Sequence, residues 1–308
     1  MTLDIAAGRY WEEAGKFQAS HKTTEYQLAR LCTGIGEAVL LSDIDGATVA
    51  GYIAKRRATV SDSSVNRELE LLRRIMRRAD SVWRVDIGEG LSWRDLMLRE
   101  PDERIRELTA AEEERLFAHL RQDLHPLVRF CMITGVRMSN AIGLTWSQID
   151  FDAKVIRLMV KSKKPGGEHL AIPLIPTLVA LLSAEQGRHE TAVFTYECIR
   201  GRGERKIATR QPLTATGWRK AWARALKAAS ITDFRFHDLR HTAGTRVLRA
   251  TGNLKAAQRL LGHRAITSTA RYAHAMLDDV RDAMEAAVSR NSPGDVKPKN
   301  TKPLKNQK

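Results

Sequence analysis

Several short stretches of the sequence carry residue types suited to handling an anion. His237-Asp238-Leu239-Arg240 sets an imidazole and a guanidinium three residues apart, a spacing that puts both on one face of a helix. Taken alone, the pair is a weak signal, better explained as a solvated surface pair. In Thr134-Gly135-Val136-Arg137 the arginine stands between the end of one helix and the start of the next. A guanidinium there can grip two phosphate oxygens at once, or bond the carbonyls of a helix C-terminus. Leu260-Leu261-Gly262-His263 ends a helix on glycine and exposes a histidine in the turn, and Tyr272 follows His263 by nine residues. A lone tyrosine is commonly a core or interface residue, and Tyr10, Tyr26, Tyr52 and Tyr196 are read that way. Lys161, Lys163 and Lys164 share a turn with Pro165-Gly166-Gly167, which either stays solvated or reaches into a nucleic-acid groove.

The global charge favours the anionic partner. The 51 lysines and arginines against 36 acidic residues leave +15 at neutral pH. Such an excess repels itself and makes sense against a polyanion. The 308 residues suggest two domains of ordinary globular composition. Three widely spaced cysteines, Cys32, Cys131 and Cys198, form neither a disulfide framework nor a thiolate cluster and fit a reducing compartment. No signal peptide opens the chain, and the apolar stretch 170–184 is short and broken by Pro173 and Pro176. Secreted, membrane-spanning and collagen-like classes are excluded, and a cytoplasmic, nucleoid-associated protein is expected.

The elements that must position these residues are mostly helical. Val65, Leu69, Leu72, Met76 and Ala79 recur at spacings of four and three behind a cap at 62–64, with Arg67, Arg73, Arg74, Arg77 and Arg78 opposite. A shorter helix at 47–57 ends in Lys55-Arg56-Arg57. Either basic run alone reads as a solvated face. Two in one helical unit of a +15 chain point to a phosphate-facing surface, with Arg73 and Arg77 as expected DNA contacts. The polar segment 99–107 contains Pro101 and reads as a linker. Thr109 and Glu112 form a capping box that opens a second domain. There, 126–134 is an apolar helix that Gly135 can stop, and Ser139 can cap a helix running to about 146. Residues 155–160 and 170–174 form a β-hairpin around the lysine turn, and helices resume from 214 to about 288 with stops at Gly252 and Gly262. The last eighteen residues hold five Lys, one Asp and three Pro, and read as a disordered tail. Without their +4 the folded part still carries +11.

Taken in order, Arg137, Lys161, His237-x-x-Arg240, His263 and Tyr272 resemble the tyrosine recombinase (phage integrase) family. The local strings match as well: Thr-Gly-Val-Arg at 134–137, Leu-Thr-Trp-Ser-Gln-Ile-Asp at 144–150, His-Asp-Leu-Arg-His-Thr at 237–242, Leu-Leu-Gly-His at 260–263 and Arg-Tyr-Ala-His at 271–274. The likeness spans 108–288. The first domain resembles the family's core-binding domain only by position, length and helical character. The resemblance implies a mainly α fold with a small antiparallel β insert, in which a helical core-binding domain precedes a mixed α/β catalytic domain. The expected boundaries are 1–98 for the DNA-clamping domain, 99–107 for the linker, 108–290 for the catalytic domain and 291–308 for the basic tail.

The resemblance also implies the chemistry. Tyr272 would attack a scissile phosphate and form a 3′-phosphotyrosyl bond that conserves the energy of the broken diester. Arg137 and Arg240 would hold charge on the non-bridging oxygens, and His263 would donate to them as well. His237 would accept or relay the proton of Tyr272. Lys161, at the strand end 24 residues after Arg137, would protonate the leaving 5′ oxygen, with Lys163 and Lys164 as nearby DNA contacts. Neither metal nor nucleotide cofactor is expected. The implied partners are double-stranded DNA, three further copies of the chain in a synaptic tetramer, and host bending or directionality factors. The helix at 278–288 would dock on a neighbouring subunit. Asn140 stands where the family usually has an acid, which implies looser orientation of Arg137. No additional arm-binding domain is expected ahead of its helical unit. Two other readings share the scaffold: a type IB topoisomerase that relaxes DNA as a monomer, and a non-catalytic DNA-binding regulator. The retention of all six candidate residues argues against the regulator.

Overall fold

A computed structural model describes residues 1–101, 104–160, 168–198 and 207–263, with positions 266, 269, 272, 284 and 285. The chain divides into two compact units, Met1–Asp102 and Glu103–Lys308.

The first unit is helical: α1 (Leu3–Glu13), α2 (His21–Ile35), α3 (Gly46–Arg57), α4 (Asp62–Ser81) and the single turn α5 (Trp93–Leu96). Helix α4 forms as its periodicity demands. Val65, Leu69, Leu72, Met76 and Ala79 are buried, while Arg67, Arg73, Arg74 and Arg77 face solvent. Its cap is Ser61 and not 62–64, and Asp62 sits in the first turn, where a carboxylate suits the positive end of the helix. Glu68 is a charged exception on the buried face, where Asn66 is also buried. Its carboxylate accepts from Tyr52 Oη at 2.7 Å and from Arg56 Nε and Nη2 at 2.9 and 2.8 Å. Burial pushes this carboxyl up, and the Arg56 and Tyr52 bonds outweigh that and leave it below its ordinary range. The network ties α3 to α4 and fixes the basic end of α3. Tyr10 and Tyr52 are core residues as expected, whereas Tyr26 is exposed, because its side of α2 has no covering element within the unit.

The ends of the 99–107 segment belong to different units. Asn66 bonds the backbone of Leu98 at 2.9 Å on both its amide atoms, and Glu100 Oε1 as well. Arg104 bonds Asp238 of the second unit.

In the second unit α6 (Ala110–His119) starts at the expected Thr109–Glu112 capping box. The largely buried α7 (His125–Thr134) stops at Gly135, whose φ of 62° is the left-handed turn that glycine tolerates. Helix α8 (Met138–Ile142) departs from expectation. Arg137 is its N-cap, not Ser139, and it ends at Gly143. A second capping box, Thr145 with Gln148, starts a separate 3₁₀ turn at Trp146–Gln148. Strands β1 (Ile149–Asp150), β2 (Val155–Val160) and β3 (Glu168–Pro173) form an antiparallel sheet in that order, with Ile156 opposite Ile172 and Leu158 opposite Leu170. Ile156, Leu158 and Ile172 point into the core and Arg157, Met159 and Ala171 point out, the period of two that a one-faced sheet requires.

After α9 (Pro176–Ser183), strands β4 (Thr195–Glu197) and β5 (Arg210–Pro212) make a second small sheet, with three residues each and too short to show a period. The unit continues with α10 (Arg219–Ala228), α11 (Asp238–Thr251) and α12 (Leu254–Leu261). Gly252 and Gly262 end the last two in left-handed conformation, as expected. Leu127, Phe130, Ile156, Leu158, Phe194 and Trp222 centre the core. Helix α11 lies against α7 and α12, and this three-helix contact carries the site. Among the described residues no helix is long and apolar enough to cross a membrane.

Candidate active site

Helix α11 is the axis of the site. Its near-continuous burial from Asp238 to Thr245 follows from its place between α7 and α12. Two small residues let the neighbours close in: a Cβ on Gly244 would meet Leu261 Cδ1 at 2.9 Å and Tyr272 Cζ at 3.2 Å. Gly135 is equally confined, with Leu261 Cδ2 at 2.6 Å and Ala243 Cβ at 3.2 Å from a hypothetical Cβ. The first turn of α11 is held from outside the helix. Asp238 Oδ2 accepts from the Arg235 amide at 2.8 Å and from Arg104 Nη2 at 2.6 Å. Thr242 Oγ1 donates to the Asp238 carbonyl at 2.9 Å and accepts from the Leu108 amide at 3.1 Å.

Arg240 is 4% exposed and reaches across two helix ends. It donates through Nη1 to the Gly135 carbonyl at 2.6 Å and through Nη2 to the Leu261 carbonyl at 2.5 Å. These carbonyls lie at the C-terminal ends of α7 and α12, where no helical amide remains to pair with them. Burial and the neighbouring Arg137 push the guanidinium down to about 10, with Tyr272 acting in the opposite sense. It is therefore still a cation at neutral pH. Arg137, the N-cap of α8, is exposed beside it. The sequence offered helix-terminal carbonyls as the alternative for Arg137, and it is Arg240 that bonds them; at 4% exposure Arg240 is not part of a solvated surface pair.

The three histidines gather at the same place. His237 caps α11, and its ring meets that of His241 edge-on at 5.4 Å. His263 follows Gly262, and its Nδ1 lies 2.9 Å from Thr269 Oγ1. Its ring runs nearly parallel to that of Tyr272, 6.4 Å away at 13°. Burial and then the charges of Arg240 and Arg137 push His263 down to about 4. Desolvation and the same two arginines lower His237 as well. All three rings are therefore neutral near pH 7, and a neutral ring still donates through one nitrogen.

Tyr272 is 1% exposed and packs with Leu248, Ala257 and Leu261. Its hydroxyl lies 3.0 Å from Nδ1 of His241. The structure thus brings together Arg137, His237, Arg240, His263 and Tyr272, from stretches separated by more than a hundred residues. Lys161, Lys163 and Lys164 lie outside the described residues, as does the 278–288 helix apart from 284 and 285, and so does the tail at 291–308. Asn140 gives its amide to the Arg137 carbonyl at 2.9 Å, the ordinary bond of a first helical turn. Arg73 and Arg77 sit in the first unit, exposed on α4, where with Trp93 and Asp80 they line a cavity of about 250 Å³. Sequence reasoning missed His241, Gly244, and the Arg104–Asp238 pair. His241 was open to discovery, since it stands four residues after His237 on the same helix. Gly244 and Arg104 had no local signal.

The first unit is helical and the second mixed, and in the second two arginines and three histidines gather at one buried tyrosine. Residues 106–278 match the phage integrase family, and the chain belongs to that family, the tyrosine recombinases. It is 30% identical over 210 residues to the integrase of Salmonella phage P22, covering 67% of this chain and 52% of that protein, about half its length. It is 30% identical over 230 residues to the tyrosine recombinase XerC of Mycobacterium tuberculosis (strain ATCC 25177 / H37Ra), covering 71% and 72% of the two chains. Among solved structures, the Tn1549 transposon integrase in complex with circular intermediate DNA superposes with a TM-score of 0.71 at 20% identity, covering 92% of this chain and 99% of that one. A lambda integrase dimer bound to a COC′ core site gives a TM-score of 0.68 at 20% identity, covering 88% and 77%. At that identity the two structures speak for the fold, mainly α with a small antiparallel sheet.

Proposed function

We propose that the chain is a site-specific DNA recombinase that cuts and rejoins DNA through a 3′-phosphotyrosyl bond at Tyr272, moving a mobile element. The observation that carries this reading is the convergence of Arg137, Arg240, His237 and His263 on one tyrosine. In-line attack by the phenolic oxygen builds charge on the non-bridging phosphate oxygens. Two guanidiniums and a neutral imidazole N–H are the donors such charge needs, and donors of this kind contribute about 10²–10³ in rate each. Lys161 is proposed to protonate the departing 5′ oxygen from the β2–β3 turn. Conservation of the diester energy in the phosphotyrosyl bond makes a nucleotide cofactor unnecessary for religation.

The proposed substrate is double-stranded DNA. The +15 charge and the arginine face of α4 support that partner. The lambda integrase tetramer bound to a Holliday junction is a fold relative at TM-score 0.67, and a tetramer is the proposed working assembly here. Host bending or directionality factors are proposed accessory partners, and the 1–98, 99–107, 108–290 and 291–308 division is the proposed division of labour.

The test is to incubate the protein with genomic DNA of the organism that carries its gene, trap covalent adducts with detergent, and sequence the attached ends. Adducts at a defined site on a 3′ phosphate, lost in Tyr272→Phe, are expected. Adducts that persist in Tyr272→Phe sink the assignment. Relaxation of supercoils without exchange between two labelled sites would move the protein to the topoisomerase reading.

A further inference from the structure

We propose that His241 is the group that takes the phenolic proton of Tyr272, an inference that rests on the recombinase reading above. The hydroxyl of Tyr272 lies 3.0 Å from His241 Nδ1, with the ring centroids 5.6 Å apart. Tyr272 is 1% exposed and His241 is 8% exposed. A phenol ordinarily ionises near 10, so at neutral pH it needs a base to become a nucleophile. A hydroxyl enclosed to this degree cannot pass its proton straight to bulk water. His241 Nδ1, at 3.0 Å, is within reach to take that proton when the ring presents its lone pair there.

The two other imidazoles are placed for different work. His263 has its Nδ1 against Thr269 Oγ1 at 2.9 Å, and its ring runs nearly parallel to that of Tyr272 with the centroids 6.4 Å apart. His237 meets the edge of His241 and is set one step further along the chain of rings. The groups facing His241 favour its neutral form. Among the described residues these are His237, Arg240 and Asp238 on its own helix, Arg104 from the segment before α6, His263 from the turn after α12, and Tyr272. Burial and then His237 lower its proton affinity, Asp238 partly offsets this, and Arg240 and Arg104 lower it further. A neutral ring with its proton on Nε2 presents the Nδ1 lone pair to the phenol.

The step balances as follows. The Oη–H proton passes to Nδ1, Oη forms its bond to phosphorus, and the P–O5′ bond breaks with its electron pair on O5′. That oxygen takes a proton from the general acid, proposed as Lys161. In religation O5′ returns its proton to the amine and attacks phosphorus. The P–Oη bond breaks, and the His241 imidazolium gives its proton back to Oη.

His241→Gln keeps a hydrogen-bond acceptor at the position and removes the ability to hold a proton. The substrate is a nicked duplex carrying the site mapped by adduct sequencing, followed in single turnover between about pH 5 and pH 9. The parent rate is expected to rise to a plateau. The variant is expected to bind the duplex as the parent does, to lose about 10²-fold or more at pH 7, and to climb with pH toward the ionisation of the phenol. An unchanged rate, or a loss that leaves the pH profile parallel to that of the parent, overturns the proposal. A parent that forms no adduct at all refutes the functional reading instead. The proton coupling is then read in the free, unaltered chain, which also serves if the variant does not fold. There the ¹³Cζ resonance of labelled Tyr272 is expected to follow the titration of His241, and a resonance that ignores it overturns the coupling.

Discussion

A Cβ placed on Gly244 would lie 3.2 Å from Cζ of Tyr272, the ring carbon that bears the hydroxyl. The absence of a side chain on α11 is therefore part of what seats the proposed nucleophile. Gly244→Ala removes a flexible residue from a helix interior, which by itself favours the helix by about 0.5–1 kcal/mol. The same methyl must push Tyr272 or Leu261 aside by a few tenths of an ångström. The variant is expected to melt close to the parent while forming covalent adduct about tenfold more slowly, and Gly244→Val to lose about a hundredfold. Adduct formation at the parent rate in both would show that the close approach does not set the reactive position.

Arg240 and Arg137 should separate when stability and cleavage are measured side by side. Arg240 satisfies two buried carbonyls, at Gly135 and Leu261. Arg240→Ala is expected to cost about 2 kcal/mol in urea unfolding, because an unpaired buried polar group carries a penalty of that order. Arg137 is exposed, and Arg137→Ala should change stability by no more than about 0.5 kcal/mol. Both should lose adduct formation by about 10²–10³-fold. If Arg240→Ala unfolds like the parent, the carbonyl clamp contributes nothing to the fold.

Acid should destabilise the second unit through His263. The folded ring takes up its proton only near about 4, whereas an unfolded one does so near 6.5. Between those values the unfolded chain binds more protons, so stability falls as pH drops from 6.5 towards 4 and rises as pH rises. Above 6.5 the contribution is complete, and below about 4 this group adds no further change. Urea midpoints across this window should show a shallower pH slope in His263→Gln than in the parent. Identical slopes would mean that the ring is not desolvated in solution.

The first unit depends on the carboxylate of Glu68. Removing one partner of a buried ion pair strands the other, at about 3–5 kcal/mol. Arg56 keeps some contact with water, so the lower end applies: Glu68→Ala should lose about 3 kcal/mol, read as a drop in the melting transition of residues 1–101. A transition that stays in place would show that Tyr52 and Arg56 find other partners.

The parts of this protein legible in the sequence were those with a local physical signature. The stripe of α4 shows because a helix buried on one side must repeat its apolar residues every three to four positions. The stops at Gly135, Gly252 and Gly262 show because a left-handed turn disfavours a Cβ. The order of Arg137, His237, Arg240, His263 and Tyr272 was visible because those types each carry a chemistry. Where two local signals competed, the reading slipped: the Thr145 capping box ended α8 early, and Ser61 took the cap assigned to 62–64. Strands of three residues, β4 and β5, carry no period to read.

Composition and pattern by themselves determined a basic, two-part, mostly helical chain, and named residues whose types suit an anion. Only tertiary structure decided that Tyr26 is exposed while Tyr272 is enclosed, that Arg240 braces two helix ends, and that His241 is set against the phenol. The reason is one of distance along the chain. Helix periods and caps are set by neighbours within four residues. The burial of a ring and the partner of a hydroxyl are set by which helices pack together, a sum of many weak contacts that no short stretch encodes.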